Sequence, residues 1–374
     1  MLTETEPSTV DLESTVRLSL IPGIGPRTRM VLLERFGTPA GVFAAPVELL
    51  RQVPGVGGKL SLAIARAQQE VDVGAELQLC QEHGIQVIAR ESEQYPLGLR
   101  TIPDPPGVLF CRGQLEPRDA IALAIVGTRH ATQYGLRHAE RLAEGLSRAG
   151  FTIVSGLARG IDAAAHRAAL QAGGRTVAVL GSGLLRIYPP ENRNLSEEIV
   201  ARGALLCEAP IRSRPLRGAF PQRNRLISGL SLGLIVLEAG LRSGALISAH
   251  HALEQGREVF AVPGPIDSHV SRGCHQLIRE GAKLVETIDD VLEELGPLAT
   301  VASLGGDQEI RHPAELQLND QERSVLDAIG SAPTTIEQIV ATSGLPVARV
   351  LSTASVLEMR HLVRRLSGQL LVRC

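Results

Sequence analysis

At 374 residues the chain is too long for one typical domain, and two to four are expected. Hydrophobic residues at 44% can fill a sizeable core, but aromatics at 2% with no Trp make that core aliphatic. A formal charge of -2 excludes a globally basic binder of polyanions, so any contact with nucleic acid has to be a local patch. Only Lys59 and Lys283 are lysines, so nearly all positive charge is arginine. Cys80, Cys111, Cys207, Cys274 and Cys374 form no CxxC pair, which predicts free thiols in a reducing compartment. The acidic start Met-Leu-Thr-Glu-Thr-Glu-Pro lacks an apolar signal region and no long apolar run follows, so a soluble, cytoplasmic protein without membrane contact is expected.

Residues 1–82 hold an internal repeat. Ile21-Pro22-Gly23-Ile24-Gly25 recurs as Val53-Pro54-Gly55-Val56-Gly57, each copy leading into a helical pattern. This is the signature of tandem helix-hairpin-helix motifs, whose second helices open with free backbone N–H groups that suit a DNA phosphate or a protein contact. From 83 to 295 apolar runs alternate with helix-length segments. Strands are predicted at 121–126, 152–155, 176–180, 204–207, 234–237, 259–262 and 283–285, with helices at 136–149, 162–172 and 245–255. Near-continuous apolar strands between helices predict a Rossmann-like, doubly wound α/β domain with a mostly parallel sheet. A Pro-rich stretch, 95–113, is expected to wrap onto it in extended form. Residues 296–316 read as a linker. In 317–374 a capping box at Thr335 to Gln338, a turn at Gly344-Leu345-Pro346 and short strands at 362–366 and 370–373 predict a winged helix. Its recognition helix, 347–360, offers Arg349 and Arg360 against Glu358, which is poor for reading DNA sequence.

One stretch carries most of the chemistry. Residues 211–225 contain Arg212, Arg214, Arg217, Arg223 and Arg225, no carboxylate, and Phe220. Guanidinium groups pair with phosphate and an aromatic face accepts a base, the two contacts that a single-stranded nucleic acid offers; a solvated basic loop is the bland alternative. In a parallel sheet ligands bind at the carboxyl ends of strands. Five turns fall there: Gly127-Thr128-Arg129, Ser155 to Gly160, Gly181-Ser182-Gly183, Phe220 to Arg225 and Ser243-Gly244-Ala245. A dinucleotide cofactor needs GxGxxG after the first strand and an acid after the second, and neither is present. No GxxxxGK[ST] occurs, and no GxSxG surrounds a serine. Asp162 and His166, at i and i+4, are expected to share a structural hydrogen bond rather than a metal. Glu208 and Glu238 end strands near the turns and are expected to orient arginines. No cofactor, metal or catalytic residue is expected.

Taken in order, these residues resemble the DNA-processing protein A family (DprA, also called Smf). The resemblance rests on Val126-Gly127-Thr128-Arg129, Ser155-Gly156-Leu157-Ala158-Arg159-Gly160-Ile161-Asp162 with His166, Val179 to Gly183 and Tyr188-Pro189 with Asn192. It continues through Phe220-Pro221-Gln222-Arg223-Asn224-Arg225, Ser243-Gly244-Ala245, Gly256 to Gly264 and Gly273-Cys274. It implies a non-enzymatic protein of natural transformation that binds and protects incoming single-stranded DNA, loads the RecA recombinase and forms a homodimer through the Rossmann domain. By motif, Arg129 is similar to the family's phosphate-contacting arginine and Phe220 to its base-stacking aromatic. Arg217, Arg223, Asn224 and Arg225 would line the same pocket, with Gly127, Ser243, Gly244 and Ser248 giving backbone or hydroxyl contacts. Thr128 stands where the family usually has serine, His275 where it has Asn, and no lysine precedes Phe220-Pro221, which leaves open whether Arg217 takes its place. The apolar Leu277, Ile278, Val291 and Leu292 either pack across a two-fold axis or cover the sheet. Two other readings stand beside this one. The first is a nucleotide-hydrolysing enzyme of the Rossmann-like phosphoribohydrolase group, whose PGGxGTxxE glutamate has no counterpart in 240–252. The second is a structural adaptor that binds no oligonucleotide.

Overall fold

The protein is described by a computed structural model over residues 9–299, 320–329, 334–359, 362–366 and 370–373. The two glycine turns of the N-terminal repeat have the same backbone: Gly23 (φ 93°) and Gly55 (φ 84°) are both left-handed, a conformation that side chains rarely adopt. Helices Pro26–Phe36 and Gly58–Glu70 follow, and neither has a side-chain cap. The turns share one core, in which Ile21, Val53 and Val56 pack with Leu18, Leu32, Leu50 and Ile64. Val16, Val73 and Cys80 bury instead against the next domain, beside Phe110, Leu157 and Leu205.

That domain is built on nine strands: β1 (Ile85–Ala89), β2 (Val108–Gly113), β3 (Ala122–Gly127), β4 (Thr152–Ser155), β5 (Thr176–Val179), β6 (Ala204–Cys207), β7 (Gly233–Leu237), β8 (Glu258–Ala261) and β9 (Lys283–Leu284). Their order is β1-β2-β6-β5-β4-β3-β7-β8-β9, with β3 to β9 parallel and β1 and β2 antiparallel at one edge. The apolar strands are covered on both faces. In β3, Ala122, Ala124 and Val126 enter one core and Leu123 and Ile125 the other, as a period of two requires. The chain runs outward from β3 through β4, β5 and β6, then returns across helix Ala219–Gly229 to place β7 on the other side of β3. The crevice at the carboxyl ends of β3 and β7 is therefore the switch point of the sheet.

The stretch 95–113 departs from the extended course expected of it. It holds a short helix, Leu97–Arg100, and then β2, which pairs with β1 and β6 and enlarges the sheet. Tyr95 is buried there, its hydroxyl donating to the Pro106 carbonyl at 2.8 Å. Helix Ile288–Ala299 runs past 296, the expected start of the linker, and residues 300–316 lie outside the described residues. Leu277 and Val291 are buried in the cores on the two faces of the sheet and so cover it, while Ile278 and Leu292 pack against those cores only partly buried.

The C-terminal unit is a winged helix. Helices Asp320–Asp327, Ile336–Ser343 and Val347–Met359 pack on the antiparallel strands β10 (Thr334–Thr335), β11 (Val363–Leu366) and β12 (Leu370–Arg373). The capping box forms between Thr335 and Gln338, and Gly344 (φ 69°) closes the helix in the left-handed region. Among the described residues no single helix is long and apolar enough to cross a membrane.

Candidate nucleic-acid interface

At the switch point the first turn is drawn tightly against its neighbours. A Cβ on Gly127 would lie 2.0 Å from the Leu237 carbonyl oxygen and 2.5 Å from Ile161, so only glycine lets β3 end there. The Thr128 N–H donates to the Glu238 carbonyl at 2.8 Å, and the Thr128 carbonyl accepts from Ile161. Glu238 sits at φ 47°, and its carboxylate accepts from the Thr132 N–H at 2.8 Å and from the Thr132 hydroxyl. Thr132 in turn caps helix Gln133–Arg148. Glu238 therefore fixes the first turn and its helix, and among the described residues it pairs with no arginine.

The second turn is braced from below. The buried Ser155 hydroxyl donates to Ile125 in β3, and Leu157 holds φ 55°. Asp162 accepts from the N–H groups of Gly156 and Ala158 at 3.2 and 3.3 Å. Burial holds its carboxyl above the usual range, while Arg223 and those two N–H groups oppose the shift. The expected bond from Asp162 to His166 is not made. The His166 Nδ1 meets the Thr176 hydroxyl, which itself donates to the Ile153 carbonyl, so Nδ1 carries the proton. Burial, with Arg223 and Arg167 adding to it, pushes the His166 pKa down to about 3 and keeps the ring neutral.

Helix Ala219–Gly229 delivers the aromatic and the arginines. Phe220 rests on Gly181, where a Cβ would approach its ring to 2.8 Å, so the third turn supports the aromatic from beneath. The Arg129 guanidinium lies 5.3 Å from the Phe220 centroid, and the Tyr188 ring lies 5.8 Å away at 45°. Arg223 reaches under the groove, donating to the Gly156 carbonyl at 2.8 Å and to that of Val179. Burial brings its pKa down to about 10 against the opposing pull of Asp162. Arg225 is not in the groove. Its side chain is 3% exposed on the opposite face of the helix, paired with Asp104 at 2.9 Å and Glu208 at 2.7 Å. Glu208 thus does orient an arginine, one that anchors the helix. Opposite, Ser243 caps helix Gly244–Glu254, and Asn224 and Ser248 donate to the Gly244 carbonyl at 3.2 and 3.5 Å. A Cβ on Gly244 would meet nothing within 4 Å.

These elements enclose an open groove of about 790 Å3 lined by Gly127, Thr128, Arg129, Arg217, Phe220, Arg223, Asn224, Ser243, Gly244 and Ser248. Every residue nominated from the sequence except Arg225 is there. Arg129 and Arg217 have no carboxylate partner among the described residues, and four helices begin at this edge. Arg217 lines the same groove as Phe220. Sequence reasoning missed His130, Asp162, Pro215 and Tyr188 as lining residues. For Tyr188 a signal existed: the chain has only three tyrosines, and this one opens a Tyr-Pro pair ahead of Asn192. Among the described residues no cluster of His, Cys, Asp and Glu is arranged to hold a metal.

The class of molecule is then a Rossmann-like α/β domain with an arginine- and aromatic-lined crevice, flanked by a helix-hairpin-helix tandem and a winged helix. Residues 86–296 match the family described as DNA recombination-mediator protein A, 16–67 the SAM-like helix-hairpin-helix tandem, and 309–369 the DprA winged helix domain. The chain belongs to the DNA recombination-mediator protein A family. It is 36% identical to Protein Smf of Synechocystis over 380 residues, 94% of this chain and 96% of that protein. DNA processing protein DprA of Streptococcus pneumoniae is 48% identical over 200 residues, 54% of this chain and 71% of the relative. Among solved structures, DNA processing protein A of Streptococcus pneumoniae superposes with a TM-score of 0.65 at 35% identity, covering 76% of this chain and 97% of that one. The Helicobacter pylori protein, solved for its single-stranded DNA binding mode, gives 0.52 at 32% identity over 56% and 95%.

Proposed function

We propose that the chain binds single-stranded DNA in this groove, protects incoming strands and loads the RecA recombinase onto them during natural transformation, acting as a homodimer. The observation that carries the binding is the convergence, in one groove, of two arginines without carboxylate partners among the described residues, an open helix start at Gly244 and the half-buried Phe220 ring. Phosphates meet the arginines and backbone N–H groups, which carry no sequence information, and bases stack on the ring. Arg223 forms the floor and holds the second turn in place. The named relatives support the reading, in particular the Helicobacter pylori protein with its single-stranded DNA binding mode. RecA loading and dimerisation through the Rossmann domain rest on the family resemblance. A hydrolytic role is disfavoured because the carboxylates nearest the groove, Asp162 and Glu238, are engaged by backbone N–H groups and by Thr132.

The test is fluorescence anisotropy with single-stranded and blunt duplex oligonucleotides across a salt series. Single strands of any sequence should bind tighter, with affinity falling steeply as salt rises. Equal or tighter binding to duplex would sink the reading. A chain shortened to end near residue 300 should keep most of that affinity and its oligomeric state in light scattering, which would exclude the winged helix as the primary site of either.

A further inference from the structure

We propose that the groove continues past Phe220 to a second base-and-phosphate position made by Tyr188 and Arg159, where Glu191 competes with the DNA phosphate for the arginine. The proposal rests on the single-stranded DNA reading and extends it. A shallow depression of about 10 Å3 adjoins the main groove, sharing Arg129, Tyr188, Phe220 and Arg223 with it and adding Arg159 and Pro189, so a base there would lie on the surface rather than in a cavity. The Tyr188 ring, 5.8 Å from Phe220, gives a second π-face along the same path. Beside it the Arg159 Nε donates to the Glu191 carboxylate.

Arg159 and Glu191 sit on well-anchored backbone. The side chain of Asn192, next to Glu191, is 2% exposed and donates to the carbonyls of Leu157 and Ala158 at 2.9 and 3.4 Å. Both charged side chains are themselves about half exposed, 48% and 49%. An ion pair in such contact with water is weak, so a phosphate can displace the carboxylate at small cost. A carboxylate and a phosphate need the same guanidinium edge, and the displaced Glu191 then stands as a like charge beside the strand. The free protein thus holds Arg159 in position but neutralised, unlike Arg129, which has no carboxylate partner among the described residues.

Glu191→Gln should therefore tighten single-stranded DNA binding by about two- to fivefold, the scale of one exposed ion pair. It should also steepen the salt dependence by about one phosphate contact, roughly 0.7 in log–log slope. The probe is a fluorescent oligo-dT series of increasing length, with melting temperatures confirming that each variant folds. In the Arg159→Ala background the same Glu191→Gln change should give no gain. Tyr188→Ala should lose more affinity for strands long enough to pass Phe220 than for short ones, and Tyr188→Phe should restore it. A gain that persists without Arg159 would reduce Glu191 to a general field effect and overturn the proposal, as would an unchanged affinity in Glu191→Gln. If Arg129→Ala weakens binding while these variants do not alter it, the groove stands and its extension falls. If the unaltered protein does not bind the strands, both readings fall.

Discussion

Two cavities of similar size lie at opposite ends of the same parallel sheet, and each has an arginine at its heart. The groove at the carboxyl ends holds about 790 Å3, and the cavity at the amino ends about 710 Å3. In the latter, Arg175 is saturated. Its guanidinium bonds both oxygens of Asp119 at 2.6 and 2.9 Å, Glu116 at 2.9 Å, and the carbonyls of Gln114 and Arg202. Helices Gln133–Arg148, Ile161–Gln171 and Arg193–Arg202 end there, presenting carbonyls, whereas helices begin at the groove and present N–H groups. Volume alone does not tell a binding site from a structural knot. What separates the two is whether the charge has been used inside the fold.

The contrast can be broken most forcefully at Arg175. Arg175→Ala leaves the largely buried Asp119 without its cation, while Glu116 keeps Arg118, and should cost about 3–5 kcal/mol of stability, read by denaturant melts. At temperatures where the variant remains folded, single-stranded DNA affinity should hardly change. A large loss of binding in the folded variant would erase the distinction between the two ends. A second test uses His166, buried beneath the second turn. Its folded pKa is depressed to about 3, so below about pH 6.5 the unfolded chain binds more protons. Stability is then complete above pH 6.5 and falls on acidification towards pH 3, by as much as about 1.4 kcal/mol per pH unit. His166→Asn, which retains a donor for Thr176, should flatten that slope in pH-dependent melts and leave DNA binding at pH 8 unaltered.

The groove side is sharpened by smaller effects. Phe220→Ala should lose about 1–3 kcal/mol of binding per stacked base with little change in salt slope. Arg129→Ala should weaken all sequences alike and reduce the slope by about one phosphate contact, roughly 0.7. Matching salt dependence in the two variants would show that phosphate and base contacts are not divided between these side chains. The smallest change is Gly244→Ala. Nothing in the protein meets the added methyl, so the melting temperature should hold, while a strand lying close to that helix start should bind less tightly.

The repeated glycine turns, the apolar strands and the winged-helix capping box were legible in the sequence because each depends on near neighbours: a left-handed glycine, a period of two, a hydroxyl three residues from an amide. The seven parallel strands fell within about two residues of their expected ends. β2 was not foreseen, because a Pro-rich run carries no periodicity and finds its strand only by pairing with β6, and β1, which pairs only with β2, was missed with it. Arg225 shows the same limit within the site. Two residues along a helix turn about 200°, so Arg223 and Arg225 cannot face one groove. That signal was local and available once 219–229 was read as a helix. Which of the two faces inward, however, is fixed by Glu208 just after β6 and Asp104 between the short helix Leu97–Arg100 and β2.

By itself the sequence determined the list of chemical parts: the glycine turns, Arg129, Arg217, Phe220 and Ser243 to Ser248, each tied to a strand end. Only the tertiary structure decided which charges stay available. Arg129 and Arg217 line the open groove, Arg223 is drawn beneath it, and Arg175 and Arg225 are neutralised by acids distant in sequence. The reason is physical. A charge buried on folding must find its counter-ion wherever the fold supplies one, and a charge left at a rim need not.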